Sequence, residues 1–343
     1  MTMRQRWSGV HRGVALVLLV VVAGAVPAIT AAPPAPVVTP VQVAYAPSDH
    51  AEHLYTIAGK VRFLFFWMSA DDVGGARVTW HRGEHHQIVS LLIGSEPRRA
   101  PRAVNEWGYV REAVAGDSTT IFGVRTITDG DSPDEAEARR AQSTKLAEFG
   151  VLCSTVSSSG AESRTTTVDV PRDVTYRDCG RVLDVLERGS SWKQLEVPRP
   201  PGVAPGFLTA LDQMMRSSAA AAGEGRIPRI PGVAYVYKDA VYDLVARRVQ
   251  RVPQLRTHSR TLQNLLRTDL SIRNRSTGST TEFRVTYGTE GPLSGIPVYA
   301  QYQPNWWFKV ELELDDRSEA PEDPASALSF RQRIDALCGS ASK

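Results

Sequence analysis

The chain has 343 residues, with 40 Lys or Arg, 37 Asp or Glu and 42% apolar residues. This length and composition fit one large globular domain or two ordinary ones, which excludes collagen, a coiled coil and a wholly disordered chain. Three basic residues (Arg4, Arg6 and Arg12) and no acidic residue lie in positions 1–32, so removing that segment leaves 37 basic against 37 acidic side chains. A neutral chain lacks the basic surface that binds phosphates, so we predict no nucleic-acid partner.

The first 32 residues have the three parts of an export signal. The arginines precede the apolar run 14–25, and small residues around 25–28 and 30–32 offer two cleavage sites. The apolar run is shorter than the roughly 20 residues that a membrane-spanning helix needs. We predict a signal peptide at 1–32 and an exported protein, periplasmic or extracellular, without a membrane span once the signal is removed. The alternative is an uncleaved N-terminal anchor. The Pro-rich segment 33–50 predicts an extended tether.

Residues 51–130 predict an N-terminal β-rich region. The run 61–68 is apolar on both faces and indicates a buried strand. The turn signal 69–75 (SADDVGG) and the alternating run 76–80 then predict a hairpin. Further strands are expected near 87–93, 107–112 and 119–128.

Residues 131–232 predict a helical insert that contains a cysteine-bearing hairpin. A capping box at 132–135 (SPDE) begins a helix that Gly150 is placed to end. The hairpin is expected at 151–170, followed by a short helix near 179–188 and a rigid linker at 197–205. Apolar residues at helical spacing over 207–218 predict a second helix, whose methionines fill the core.

Residues 233–317 predict an antiparallel β-meander, with strands at 233–237, 240–252, 269–274, 281–287, 296–303 and 305–315. In the last strand Trp306, Phe308, Val310, Leu312 and Leu314 share one face, and polar residues share the other. This period of two predicts one buried face and one solvated face. A helix and tail are expected at 318–343. The predicted fold class is mainly β (β-rich α+β), a curved antiparallel meander or open barrel with helical insertions.

The three cysteines allow three single pairings, because an exported protein can form disulfides. Cys153 and Cys179 flank a Ser- and Thr-rich stretch, and we favour a structural disulfide between them. Such a bond would close a loop of about 25 residues and contribute roughly 3–4 kcal/mol in the chain-entropy model. Cys338 is then the unpaired residue, interpreted as a small apolar residue on the terminal helix.

His81-Arg82-Gly83-Glu84-His85 matches the H-x-x-E-H pattern of inverted zincins. In that mechanism two imidazoles one helical turn apart bind Zn²⁺ and the carboxylate activates water. The spacing requires a helix, whereas strand-like residues flank the motif, so a polar hairpin tip is the favoured interpretation. A looser metal site drawn from His50, His53, His81, His85 or His86 remains open. We predict no cofactor, since a Walker A loop, a Rossmann fingerprint and a G-x-S-x-G elbow are absent from the sequence.

Aromatic residues on the predicted strands suggest a ligand cavity. If the sheet closes incompletely, Trp67, Trp80, Tyr299 and Trp307 could line a cavity for an apolar or lipid-like ligand; core packing is the alternative. Trp307 lies on the polar face, which core packing does not explain.

The run 61–80 and the segment 297–307 (PVYAQYQPNWW) resemble uncharacterised exported bacterial proteins with curved, lipocalin-like antiparallel sheets. The resemblance implies a fold and a cell-envelope location, with no activity or functional residues. We therefore expect noncatalytic binding of an apolar small molecule or of an envelope protein. The alternative function is a metal-dependent hydrolase that uses His81, Glu84 and His85.

Overall fold

The computed structural model describes residues 49–63, 66–83, 86–100, 105–116, 118–126, 146–157, 160–178, 183, 193–197, 203–204, 206–225, 232–237, 240–305 and 308–315. The predicted signal peptide, nearly all of the tether 33–50 and the C-terminal helix at 318–343 lie outside these ranges.

Among the described residues the main elements are fourteen strands and one long α-helix, with short 3₁₀ helices at Tyr176–Asp178 and Gly291–Leu293. The strands are β1 (Asp49–Phe63), β2 (Phe66–Arg82), β3 (His86–Ser95), β4 (Trp107–Ala115), β5 (Ser118–Thr126), β6 (Leu146–Ser157), β7 (Gly160–Pro171), β8 (Lys193–Val197), β9 (Val233–Tyr237), β10 (Ala240–Arg256), β11 (Thr261–Asn274), β12 (Thr280–Gly288), β13 (Pro297–Asn305) and β14 (Phe308–Leu314). The helix, α1, is Phe207–Gly223. In the part of the chain that the structure describes, no helix is long and apolar enough to cross a membrane.

All strands belong to one antiparallel sheet in the order β8-β7-β6-β5-β4-β3-β2-β1-β14-β13-β12-β11-β10-β9. β1 pairs with β14, so the N-terminal β-rich region and the C-terminal meander are continuous. The end strands β8 and β9 form no ladder with each other in the described residues, so the sheet is open. The predicted fold class, a mainly β antiparallel meander with helical insertion, is confirmed.

The predicted turn at 69–75 is wrong, because β2 runs through it. The chain instead reverses between Phe63 and Phe66, which pair with each other. The Asp-Asp-Val-Gly-Gly signal forms a bulge, in which the register shifts between Ile57 and Gly59 and Asp72 adopts φ 55°. Asp tolerates this left-handed conformation better than most residues. A turn-like sequence therefore kinks a strand here instead of ending it.

The predicted end of the first helix at Gly150 is also wrong, since residues 146–150 begin β6. Phe149 is 2% exposed, and its ring centroid lies 4.7 Å from that of Trp107. Gly150 pairs with Arg125 of β5. Tertiary packing between β5 and β6 thus overrides the local helix signal. The capping box at 132–135 lies outside the described residues. The hairpin at 151–170 is confirmed by β6 and β7.

The last strand has no fully solvated face, contrary to the period-two prediction. Val310 and Leu314 are buried as expected, but Glu311 is only 8% exposed. The Glu311 carboxylate lies 2.5 Å from the amines of both Lys60 and Lys309. These two lysines and the Tyr299 hydroxyl lower the pKa of Glu311, although burial acts in the opposite direction. The second face therefore carries a half-buried polar cluster.

The main core forms around α1. Buried residues of β2, β3, β5 and β6 (Trp80, Val89, Ile121 and Leu152) share one apolar cluster with buried residues of α1 and of β9 to β12. Phe207, Met214 and Met215 of α1 are at most 5% exposed, so the prediction of core methionines is confirmed. α1 contacts β3, β9 and β12. The open sheet therefore curves around α1, with β2–β5 forming one wall and β9–β12 the other.

Candidate functional site: an apolar cavity beside helix α1

A cavity of about 190 Å³ lies between α1 and the curved sheet. We call it the central cavity. Its lining comes from β1–β5, α1 and β11–β14, and is mainly aliphatic and aromatic. Leu211 of α1, Val110, Phe283 and Leu312 line it while remaining only partly buried. Inward-facing apolar side chains that retain exposure are expected where a sheet encloses space that its own side chains do not fill.

The N-terminus of α1 is held by a buried carboxylate from β4. Glu112 accepts hydrogen bonds from the backbone N–H groups of Leu208 and Thr209, both at 2.8 Å, and from the Thr209 hydroxyl at 2.7 Å. The first N–H groups of a helix lack intrahelical acceptors, and the helix dipole favours an anion there. Burial nevertheless raises the pKa of Glu112, and its hydrogen bonds only partly offset that effect.

Gly206 allows this carboxylate to reach the helix. A Cβ atom built on Gly206 would lie 2.4–2.6 Å from the carboxyl atoms of Glu112. The Gly206 φ of −164° is ordinary extended backbone, so the requirement for glycine is steric. Any larger residue at the N-cap would displace the Glu112 side chain.

The middle of α1 is held by a second buried carboxylate. Asp212 accepts a hydrogen bond from Arg82 of β2 at 2.9 Å, and the exposed fractions of these two side chains are 2% and 1%. Gln87 of β3 and Arg216 of α1 donate to the same carboxylate at 3.3 and 2.9 Å. A buried ion pair is tolerated better when its remaining hydrogen-bonding capacity is satisfied, and the donors from Gln87 and Arg216 satisfy the Asp212 carboxylate.

The other wall holds α1 mainly by neutral contacts. The Phe207 ring centroid lies 5.6 Å from that of Tyr235 and 6.2 Å from that of Phe283. Tyr287 hydrogen-bonds to Ser218 of α1, and its hydroxyl lies 2.9 Å from that of Thr268. Near the C-terminus of α1, Arg251 donates to the Ala222 carbonyl at 3.0 Å. A cation suits this negative end of the helix dipole.

Of the four aromatic residues predicted to line a cavity, Trp80 does so. Tyr299 instead hydrogen-bonds to Glu311, and burial and that carboxylate raise its pKa. Its neighbour Ala300 lines the cavity, because successive strand residues point to opposite faces. Trp67 lies on β2, and its side chain is outside the described set, as is Trp307.

Three histidines gather at one end of β1–β3. The His81 ring centroid lies 6.0 Å from that of His50 and 5.2 Å from that of His86. Among the described residues, however, no group of three His, Cys, Asp or Glu side chains is arranged to hold a metal. His81 lies on β2 and pairs with Ile88 of β3, in line with the hairpin interpretation. Glu84 and His85 lie outside the described residues, so the hydrolase hypothesis stays a prediction.

Cys153 lies half-buried on β6, where it pairs with Phe122 and Arg164. Cys179 and Cys338 are outside the described residues. The disulfide between Cys153 and Cys179 therefore stays a prediction.

Sequence reasoning missed Glu112, Asp212 and Arg125, which line or anchor the cavity. Glu112 follows Arg111 on an ordinary strand, and nothing marks it as the buried one of the two. Asp212 lies within an apolar helical run, where it interrupts the pattern. The position of Asp212 could have indicated its role, because an acid on the apolar face of a helix requires a buried partner. Nothing local to Glu112 indicates that a helix almost a hundred residues later begins at its carboxylate.

Comparisons with known proteins add a loose structural likeness. No family model matches the chain, and no curated protein matches it. A crystal structure of a β-barrel-like protein of a domain of unknown function, DUF1849, from Brucella abortus is similar at 11% identity. The match covers 78% of this chain and 96% of that one, with a TM-score of 0.23. We draw no functional conclusion from it.

Proposed function

We propose that the protein binds a ligand with an apolar chain in the central cavity and performs no chemistry on it. The observation that carries this proposal is the apolar cavity of about 190 Å³ between α1 and the sheet. A cavity of about 150 Å³ with an aliphatic and aromatic lining stays dry and accepts apolar molecules, so this volume suffices for part of an acyl chain.

The location of this activity is part of the same proposal. The positively charged start and apolar run of residues 1–32 support export, and binding would then occur in the periplasm or outside the cell. A lipocalin-like mode, in which a curved antiparallel sheet encloses an apolar ligand, agrees with the open sheet around α1. Binding of an envelope protein is the competing function; it would not depend on the volume of the cavity.

The test is to fill the cavity. Ala300 lines it, so Ala300→Phe should occupy space that the ligand needs. The matched control is Ala115→Phe, because Ala115 is exposed at the end of β4. The probe is cis-parinaric acid, a fatty acid that fluoresces when it enters an apolar environment.

We expect the unaltered protein and Ala115→Phe to bind the probe equally, and Ala300→Phe to lose roughly tenfold or more in affinity. Thermal unfolding of both variants checks that the fold is retained. Equal binding by Ala300→Phe would place the ligand elsewhere. Absence of binding by the unaltered protein would reject the proposal.

A further inference from the structure

Arg125 lies in the mainly apolar lining of the central cavity, and among the described residues no carboxylate pairs with it. The charged residues of the lining are Asp212 and Arg125. Asp212 is neutralised by Arg82 and Arg216. Arg125 makes no ion pair or hydrogen bond through its side chain in the part of the chain that the structure describes. A guanidinium at the edge of an apolar cavity can pair with the anionic group of a molecule whose apolar part enters the cavity.

The direction of Arg125 follows from strand geometry. Ile121, Gly123 and Arg125 occupy the same face of β5, because side chains alternate along a strand. Ile121 is 1% exposed and belongs to the core around α1, so this face points inward. Arg125 is only partly buried, which places it where the lining meets solvent. The neighbouring charge of Arg125 also acts to lower the pKa of Tyr237, although burial dominates and raises it.

The cavity therefore has a cationic end and an apolar end. Residues that pair across neighbouring strands form a row that crosses the sheet. Ile121 pairs with Glu112 and lies in the row of Trp80, whereas Arg125 pairs with Gly108 and lies in the row of Ile93. These rows lie four residues apart on β5, which is roughly 14 Å at the usual rise per residue. A molecule that spans them would meet a guanidinium at one end and Trp80 with the apolar side chains of α1 at the other.

We propose that the ligand is a single-chain anionic amphiphile, with its head group paired to Arg125 and its chain directed along β5 toward Trp80 and α1. The planar guanidinium can donate two parallel hydrogen bonds to a carboxylate or a phosphate. This inference rests on the proposed function and names the ligand class and the residue that selects it.

The experiment compares ligands that differ only in the head group. Laurate, lauryl phosphate and lauryl alcohol share one chain, and each is measured by displacement of cis-parinaric acid from the full chain. The variants are Arg125→Gln and Arg125→Lys. The control is Arg111→Gln, because Arg111 of β4 lies over the Phe122 ring at 5.7 Å and pairs with a residue of the opposite face of β5.

The unaltered protein should bind the anionic ligands roughly tenfold or more tightly than the alcohol. Arg125→Gln should remove this preference while leaving alcohol binding within about twofold, and Arg125→Lys should retain part of it. Arg111→Gln should change nothing. A larger effect for laurate than for lauryl phosphate would indicate a fatty acid, and the reverse would indicate a phosphate-headed lipid.

Equal affinities for the anions and the alcohol in the unaltered protein would overturn the head-group assignment while the proposed function stands. An Arg125→Gln variant that still binds the anions more tightly than the alcohol would likewise overturn the head-group assignment. Failure of all three ligands to displace the probe would instead show that the chain does not bind such molecules in the cavity.

Discussion

The two walls that hold α1 differ in chemistry. The β2–β5 wall uses charge, because Glu112 and Asp212 are buried carboxylates that join the helix to strands of this wall. The β9–β12 wall uses ring contacts and neutral hydrogen bonds, of which the contacts of Phe207 with Tyr235 and of Tyr287 with Ser218 are examples. Directional bonds fix the position of a helix along one wall, whereas apolar contacts allow small adjustment. The charged wall therefore fixes the position of α1 more strictly than the neutral wall does.

The largest loss of stability is expected from a substitution that removes a buried charge between α1 and the β2–β5 wall. Asp212→Ala leaves Arg82 as an uncompensated charge at 1% exposure. Removing one partner of a buried pair costs about 3–5 kcal/mol, so the free energy of unfolding in urea should fall by that amount. The control is Glu162→Ala, which removes an exposed ion pair with Arg164 and should cost about 0–1 kcal/mol. Equal losses for the two variants would contradict the anchoring role of Asp212.

The second-largest loss of stability is expected from a substitution that takes the space of the Glu112 carboxylate beside Gly206. Gly206→Ala places a methyl group within 2.4–2.6 Å of the Glu112 carboxyl atoms and should displace this cap. We expect a loss of about 1–3 kcal/mol in the free energy of unfolding, the cost of leaving buried polar groups unsatisfied.

Gly223→Ala is the matched control, because nothing lies within 4 Å of a Cβ at that position of α1. It should be neutral or stabilise by up to about 1 kcal/mol, since Ala favours helix more than Gly does. A Gly206→Ala variant as stable as this control would show that Glu112 does not need the space.

A smaller effect is expected at the neutral wall. Tyr287→Phe removes a hydroxyl that hydrogen-bonds to Ser218 and Thr268 but keeps the ring. The loss should be about 1–2 kcal/mol, because neutral hydrogen bonds contribute less than buried ion pairs. Chemical denaturation measures it directly. A loss larger than that of Asp212→Ala would reverse the proposed difference between the walls.

The smallest expected effect is the change with pH in the contribution of Glu112 to the free energy of unfolding. Burial raises the pKa of Glu112 above 4.5, so the folded chain keeps this proton at pH values where the unfolded chain has released it. The Glu112 contribution to stability therefore decreases as the pH rises from about 4.5 through the raised pKa, by at most about 1.4 kcal/mol per pH unit. Glu112→Gln should remove this part of the slope. Parallel pH profiles for the two proteins would contradict the assignment.

The sheet was predictable from the sequence where local pattern and long-range packing agree. β9, β12 and α1 lie close to their predicted ranges because alternation and helical spacing match the buried faces. At Asp72 the turn-like sequence forms a bulge, because β2 pairs with β1 both before and after it. At Glu311 the polar face is covered, which alternation alone cannot indicate. The cavity depends on contacts between β4 and α1 across almost a hundred residues, and no local signal places Arg125 in its lining.

The most direct test of ligand binding beside α1 is a crystal structure of the protein with a fatty acid that carries bromine at the end of its chain. We predict an anomalous bromine peak in the central cavity, beside Trp80 of β2 and Leu211 of α1. A bromine peak on the outer face of the sheet, or a cavity filled by displaced α1 side chains with no bromine, would contradict the account.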